Sequence, residues 1–173
     1  MDPVETEPPA AADPAEFGWR VHGLLDNWTG KVDNKASIVL AIESAAFAFV
    51  VTQTAKGKVF ADPGGVGAWV FRLGLVLLLV AIALALLVVL PQLNRRQSTK
   101  DWANNSIYFG HLRHWDSDDL AKQLPDQAAH QREQLAEQMV AMSKIAWRKH
   151  IWLQGSLTTL AAAVVLLLIV AIA

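Results

Sequence analysis

Three blocks of apolar residues, separated by polar stretches, set the pattern of the chain. The first runs from Ala36 to Thr54, the second from Gly67 to Pro91 and the third from Ile151 to Ala173. Each is long enough to cross most of a hydrocarbon core roughly 30 Å thick. The centre of the second, Leu73 to Leu90, carries no charge and no amide side chain. Ahead of the first block, Phe17, Val21, Leu24, Leu25, Trp28 and Val32 recur at helical spacing. Their apolar face needs a cover: another helix of this chain, a second copy, or the membrane interface. The pattern predicts an all-α membrane protein with three transmembrane helices and helical cytoplasmic extensions.

Breakers and caps divide the chain further. Residues 1–15 form a low-complexity acidic tail with four prolines and no base, expected to be disordered. Residues 16–35 are expected to form a cytoplasmic amphipathic helix. Asp13 can cap it, Pro14 suits its first position, and Glu16 stands where a capping box places a carboxylate. That helix should run on into a span over 36–54, with a bend near Gly30. Residues 55–66 make an external turn around Asp62-Pro63-Gly64-Gly65. The second span covers 67–91 and the third 152–173, with Gly155 offering a bend. Between them, residues 92–150 form a cytoplasmic helical segment. There Asp116 and Ser117 can cap a short helix holding Leu120 and Leu124. Pro125 is expected to interrupt it. A long helix should follow from about Asp126, with Leu135, Met139, Met142 and Ala146 on one face.

Charge sets the orientation. Lys31, Lys35, Arg95, Arg96, Lys100, Lys144, Arg148 and Lys149 flank one membrane surface, and only Lys56, Lys58 and Arg72 flank the other. The excess of bases on one side predicts a multi-pass membrane protein with a cytoplasmic N-terminus. The overall balance, a formal net charge of -1, carries no signal for a nucleic-acid polymer. There is no cysteine, so disulfides and thiolate chemistry are excluded.

Few residues bear chemistry. Glu43 lies inside the first apolar block, where an ionisable group needs a partner, a wet cavity or a proton. With Asp33 and Lys35 it makes up the polar set of the first span. Glu43 either packs helices as a hydrogen-bonded acid or lines a polar path or gate. Thr158 and Thr159 of the third span reach a similar depth, with Ser156 just above them, whereas the second span offers only aliphatic side chains near Leu84. The third span, or another copy's first span, is therefore the expected partner. His111 and His114 stand three residues apart with Asp116 and Asp118 nearby, too few to make a metal site the preferred reading. No phosphate-binding loop, hydrolase elbow or zinc-protease motif occurs. No catalytic residue and no cofactor are expected, and the protein reads as a non-enzyme.

Several short motifs, in order, resemble one family. They are Asp33-Asn34-Lys35-Ala36-Ser37 followed by Glu43-Ser44, Pro91 closing the second span, and Tyr108-Phe109-Gly110-His111. Ser143-Lys144-Ile145-Ala146 and Lys149 precede the last span. Over most of residues 17–173 the chain resembles the transmembrane effectors of Pycsar, the bacterial pyrimidine cyclase system for antiphage resistance. His150 departs from the pattern, where an aromatic or arginine is expected after the lysine. The resemblance implies activation by cyclic CMP or cyclic UMP from a cognate cyclase, damage to the bacterial inner membrane, and abortive infection. It implies a compact nucleotide site, shared between subunits of a homo-oligomer, because residues 92–150 are too few and too helical for a β-roll. Arg95, Arg96 and Lys100 would supply phosphate-binding charge beside Tyr108 and Phe109, whose rings could stack a base. Those same residues also suit orientation charges around a small core. The competing class of function is a non-gated membrane scaffold or accessory interaction protein.

Overall fold

A computed structural model describes residues 13–92 and 102–172. Among the described residues every regular element is helical and no strand occurs. The elements are α1 (Pro14–Thr52), α2 (Gly65–Val89), a 3-10 turn (Trp102–Asn104), α3 (Phe109–Leu112), α4 (Ser117–Ala129) and α5 (Gln131–Ile172). Three of these, α1, α2 and α5, are long and apolar enough to cross a membrane.

The described residues fall into two compact units. One holds residues 13–26 and 102–142, the other residues 27–92 and 143–172. The second unit contains the three apolar helical stretches. Their buried positions recur at three-, four- or seven-residue steps, the stripe that lets helices pack along their length. On α2 the stripe is Gly74, Leu78, Ala81, Ala85 and Val88. On α1 it is Val32, Ala36, Glu43 and Val50, and on α5 it is Lys149, Leu153, Ser156, Ala163 and Leu167. Val32, Ala36, Val88 and Leu153 pack as one apolar layer, with Val39 and Trp152 against it. Val50, Phe60, Leu78, Ala163 and Leu167 form another. These layers fix the directions: within this unit α1 and α5 run parallel and α2 runs against both. The outer faces stay apolar and exposed, as at Ile42, Phe49, Val76, Leu86, Val165 and Ile169. Such a surface suits lipid and not water.

The helices end where local chemistry ends them. Leu90 caps α2 in an extended conformation and Pro91 follows. Between α1 and α2, Gly57 and Gly65 take positive φ, which only glycine does at no steric cost. Phe60 folds back onto Phe71 at 5.1 Å between ring centroids and closes that end of the bundle. Neither expected bend occurs as a break, for α1 is helical through Gly30 and α5 through Gly155. Gly155 packs against Leu84, where a Cβ would make ordinary van der Waals contact at 3.4 Å.

In the first unit, Asp13 Oδ1 accepts from the Ala15 amide at 3.0 Å, so the N-terminal cap forms. Glu16 does not complete the capping box and pairs with Arg20 at 3.1 Å. Of the apolar set in this stretch, Phe17 and Leu24 are exposed and Leu25 is buried. Gly18 faces Leu135 so closely that a Cβ would stand 2.5 Å from its side chain. Asp116 caps α4 by accepting from the Asp118 amide at 2.9 Å. Pro125 does not interrupt that helix, which continues through it to Ala129. The break falls at His130 instead, and α5 starts at Gln131, later than the sequence implied.

Candidate functional site

The membrane unit carries two polar pairs on its buried faces. Near one end, Lys149 Nζ reaches both carboxylate oxygens of Asp33, at 2.6 and 2.7 Å. The lysine side chain is 6 % exposed and the aspartate 37 %. Lys35, grouped with Asp33 on sequence grounds, is exposed on the outer side of α1. Deeper in, Ser156 Oγ donates to Glu43 Oε1 at 2.6 Å, and both residues are fully buried. Glu43 thus meets the third apolar helix of its own chain through Ser156. Thr158 spends its hydroxyl on the backbone carbonyls of Gln154 and Gly155 and is exposed.

Glu43 lies ten residues beyond Asp33, about 15 Å further along the helix. One apolar layer separates it from the Asp33–Lys149 pair and the other closes it off on the far side. On α2 the buried residues between those layers are Ala81 and Ala85. Two methyl groups offer nothing to hydrogen-bond, and Glu43 Oε2 has no partner. A buried acceptor left unpaired costs about 1–3 kcal/mol, so it is a point of stored instability in an otherwise complementary bundle.

The first unit has an unusually polar interior. Its buried side chains include Asn105, His111, Gln127 and Gln134 beside Leu25 and Leu135. Two of them, Gln127 and Gln134, form one chain of hydrogen bonds. Gln134 Oε1 accepts from the Ser106 amide at 3.0 Å, its Nε2 donates to Gln127 Oε1 at 2.7 Å, and Gln127 Nε2 donates to the Ala103 carbonyl at 3.2 Å. This chain ties the 102–108 segment to α4 and α5, and it holds the turn after Pro125 helical despite the missing amide proton. Asn105 Oδ1 accepts from the Ile107 amide at 3.2 Å. His111 is the exception: the residue is 7 % exposed and neither ring nitrogen has a partner.

Tyr108 lies edge-on to His111 at 5.2 Å and beside Phe109 at 4.7 Å. Its ring sits over Gly110, where any Cβ would collide with it. Phe109 is 65 % exposed. The three bases paired with these aromatics on sequence grounds, Arg95, Arg96 and Lys100, lie outside the described residues. A hollow of about 510 Å³ between Trp102, Trp115 and α4 is rimmed by Asp116, Asp119 and Asp126 against Lys122 and His114. Such a rim repels a phosphate. His114 turns away from His111, packing near Trp102 and meeting Arg113 Nε at 3.2 Å. Among the described residues no cluster of three potential metal ligands forms.

Sequence reasoning missed Lys149 as the partner of Asp33 and the Gln127–Gln134 pair. The seven-residue spacing of the two glutamines was the signal for the latter. Neither a curated protein nor a solved structure matches the chain. The family described as the Pycsar effector protein domain matches residues 17–173, from the first turn of α1 to the last residue of the third apolar block. A chain with three helices fit to cross a membrane, matched over nearly its whole length, belongs to the Pycsar effector family and so to antiphage defence.

Proposed function

We propose that this protein is a membrane-disrupting effector switched on by a cyclic pyrimidine nucleotide, cyclic CMP or cyclic UMP, made by a cognate cyclase on infection. The observation that carries this reading is the match to the Pycsar effector domain over residues 17–173. The structure supports it with a division of labour. One unit is lipid-compatible and hides a carboxylate at mid-depth. The other is polar-cored and small enough to serve as a receiver. The protein acts in the bacterial inner membrane, N-terminus inside, as a homo-oligomer and without catalysis of its own. Activation rearranges the apolar helices so that Glu43 meets water, the membrane loses its potential, and the infected cell dies before releasing phage. Arg95, Arg96 and Lys100 supply charge for the cyclic phosphate, with Tyr108 and Phe109 as the aromatic platform.

The test is reconstitution. Purified protein in liposomes holding a potassium-diffusion potential is exposed in turn to cyclic CMP, cyclic UMP, cyclic AMP and cyclic GMP. One pyrimidine should collapse the potential at micromolar concentration, and a variant with Arg95→Gln and Arg96→Gln should need far more of it. A potential that survives all four nucleotides overturns the reading and favours a non-gated scaffold.

A further inference from the structure

We propose that the buried imidazole of His111 is the hydrogen-bonding contact for the pyrimidine edge of the activating nucleotide. This rests on the nucleotide-gated reading and assigns its receiver. A neutral imidazole has one N–H donor and one lone-pair acceptor, and burial cuts both off from bulk water. Both ring nitrogens of His111 are buried without a partner. General underpairing does not explain this, because the neighbouring buried amides of Gln127 and Gln134 are bonded through both their oxygens and their nitrogens. A polar group kept unpaired inside a well-paired interior points to a ligand that completes it.

The surroundings suit a pyrimidine. Its edge carries both donors and acceptors, so it can pair with one imidazole nitrogen whichever tautomer the ring takes. Phe109, next in space to Tyr108 and largely exposed, presents a ring face on which a flat base can stack. Tyr108 is the cover. It meets the imidazole edge-on, and it rests on Gly110 without a covalent or hydrogen-bonded tie to that residue. Rotation of this ring exposes the imidazole. The acid-rimmed hollow beside Trp102 is the wrong charge for a cyclic phosphate and is not where the anion would sit.

The experiment pairs stability with binding on the full-length, detergent-purified protein. Replacing an unpaired buried imidazole by an apolar side chain removes unsatisfied atoms. His111→Leu should therefore unfold at the same temperature as the wild type or higher when no nucleotide is present. In calorimetric titration the same variant should bind the activating pyrimidine at least tenfold more weakly. Binding within twofold of wild type overturns the assignment. Wild-type protein that binds neither cyclic CMP nor cyclic UMP overturns the nucleotide-gated reading itself, a separate result. A measurement on the wild type guards against a misfolded variant. With ¹⁵N-labelled histidine, saturating nucleotide must move the His111 ring nitrogen resonances. Unmoved resonances mean that ordered water alone satisfies the ring, and the proposal fails.

Discussion

At the scale of single residues, the two polar pairs of the membrane unit differ in what removal leaves behind. Lys149 is almost wholly buried, while Asp33 keeps a third of its side chain exposed. Asp33→Asn strands an ammonium away from water, at a cost of about 2–3 kcal/mol, below the largest values for fully buried pairs because water reaches one partner. Lys149→Met leaves a carboxylate that can hydrate, and about 1 kcal/mol is expected. Thermal unfolding in detergent should rank the two variants in that order, and the reverse order would show that Lys149 is hydrated and not Asp33. Glu43 behaves differently, because its bond to Ser156 is to one oxygen only. Glu43→Gln keeps the acceptor and should fold and insert as the wild type does, yet lose or change the ion selectivity of the activated leak. Glu43→Leu removes the acceptor and should lower the unfolding temperature as well. Flux assays with sodium, potassium and chloride decide this, and unchanged selectivity and toxicity in both variants would remove Glu43 from the mechanism. Helical spacing made the choice of the third helix legible in the sequence. It left Thr158, Thr159 and Ser156 open, because a depth count along one helix does not fix the rotation of its neighbour. Only the packed stripe of α5, with Leu153 and Ala163 either side, turns Ser156 inward.

At the scale of elements, the apolar helices were readable because a run of lipid-compatible residues fixes length and type with little help from context. The first unit was not, because its order rests on contacts between residues far apart in sequence. Gln134 reaches back 28 residues to Ser106, and no local propensity announces that bond. For the same reason the sequence placed a break at Pro125, where the loss of one backbone bond is outweighed by the Gln127 anchors. Gln134→Leu should therefore be costly. It leaves Gln127 Oε1 and the Ser106 amide unpaired, and about 2–4 kcal/mol is expected from two orphaned buried groups. Hydrogen exchange should accelerate over residues 102–108 and across the α4–α5 junction first, and uniform acceleration along the whole chain would refute the anchoring role. The junction is expected to respond to pH. His130 Nδ1 donates to the Asp126 carbonyl at 3.0 Å, and that bond, helped by the Asp126 carboxylate, raises the imidazole above its ordinary value of 6.5. A raised value means that the folded junction holds the proton more tightly than the open one. Its stabilisation is complete below the ordinary histidine range and is lost as pH rises through the elevated value. Protection factors at residues 129–132, with intrinsic exchange divided out, should fall across that window, and His130→Gln should remove that fall.

At the scale of the whole molecule, topology ties the bundle to its proposed trigger. Within the membrane unit α1 and α5 run parallel and α2 antiparallel, so Thr52 and Ile172 emerge on one side and Asp33, Gln92 and Arg148 gather on the other. The bases divide unequally. The side with Asp33 also holds Lys31, Lys35, Lys144, Arg148 and Lys149, whereas the opposite side has Lys56, Lys58 and Arg72. Arg72 is further occupied by the face of Trp69 at 5.2 Å, an arrangement suited to an interfacial belt. Pairing with Asp33 neutralises Lys149 locally, but the remaining bases still exceed those opposite. Positive charge resists translocation, so the Asp33 side is expected to stay in the cytoplasm, where the proposed cyclase product would reach it. A reporter inserted after residue 62 and another fused after residue 173 should therefore both read as external, and one fused ahead of residue 13 as cytoplasmic. Moving three bases to the 55–62 turn while replacing Lys31, Lys35 and Lys144 by Gln should invert or scramble this pattern. Cells carrying that inverted protein should survive induction of the cyclase, because the receiver would face away from its ligand. A C-terminal reporter that reads as cytoplasmic in the unaltered protein would sink this topology, and with it the placement of the receiver on the side where the nucleotide is made.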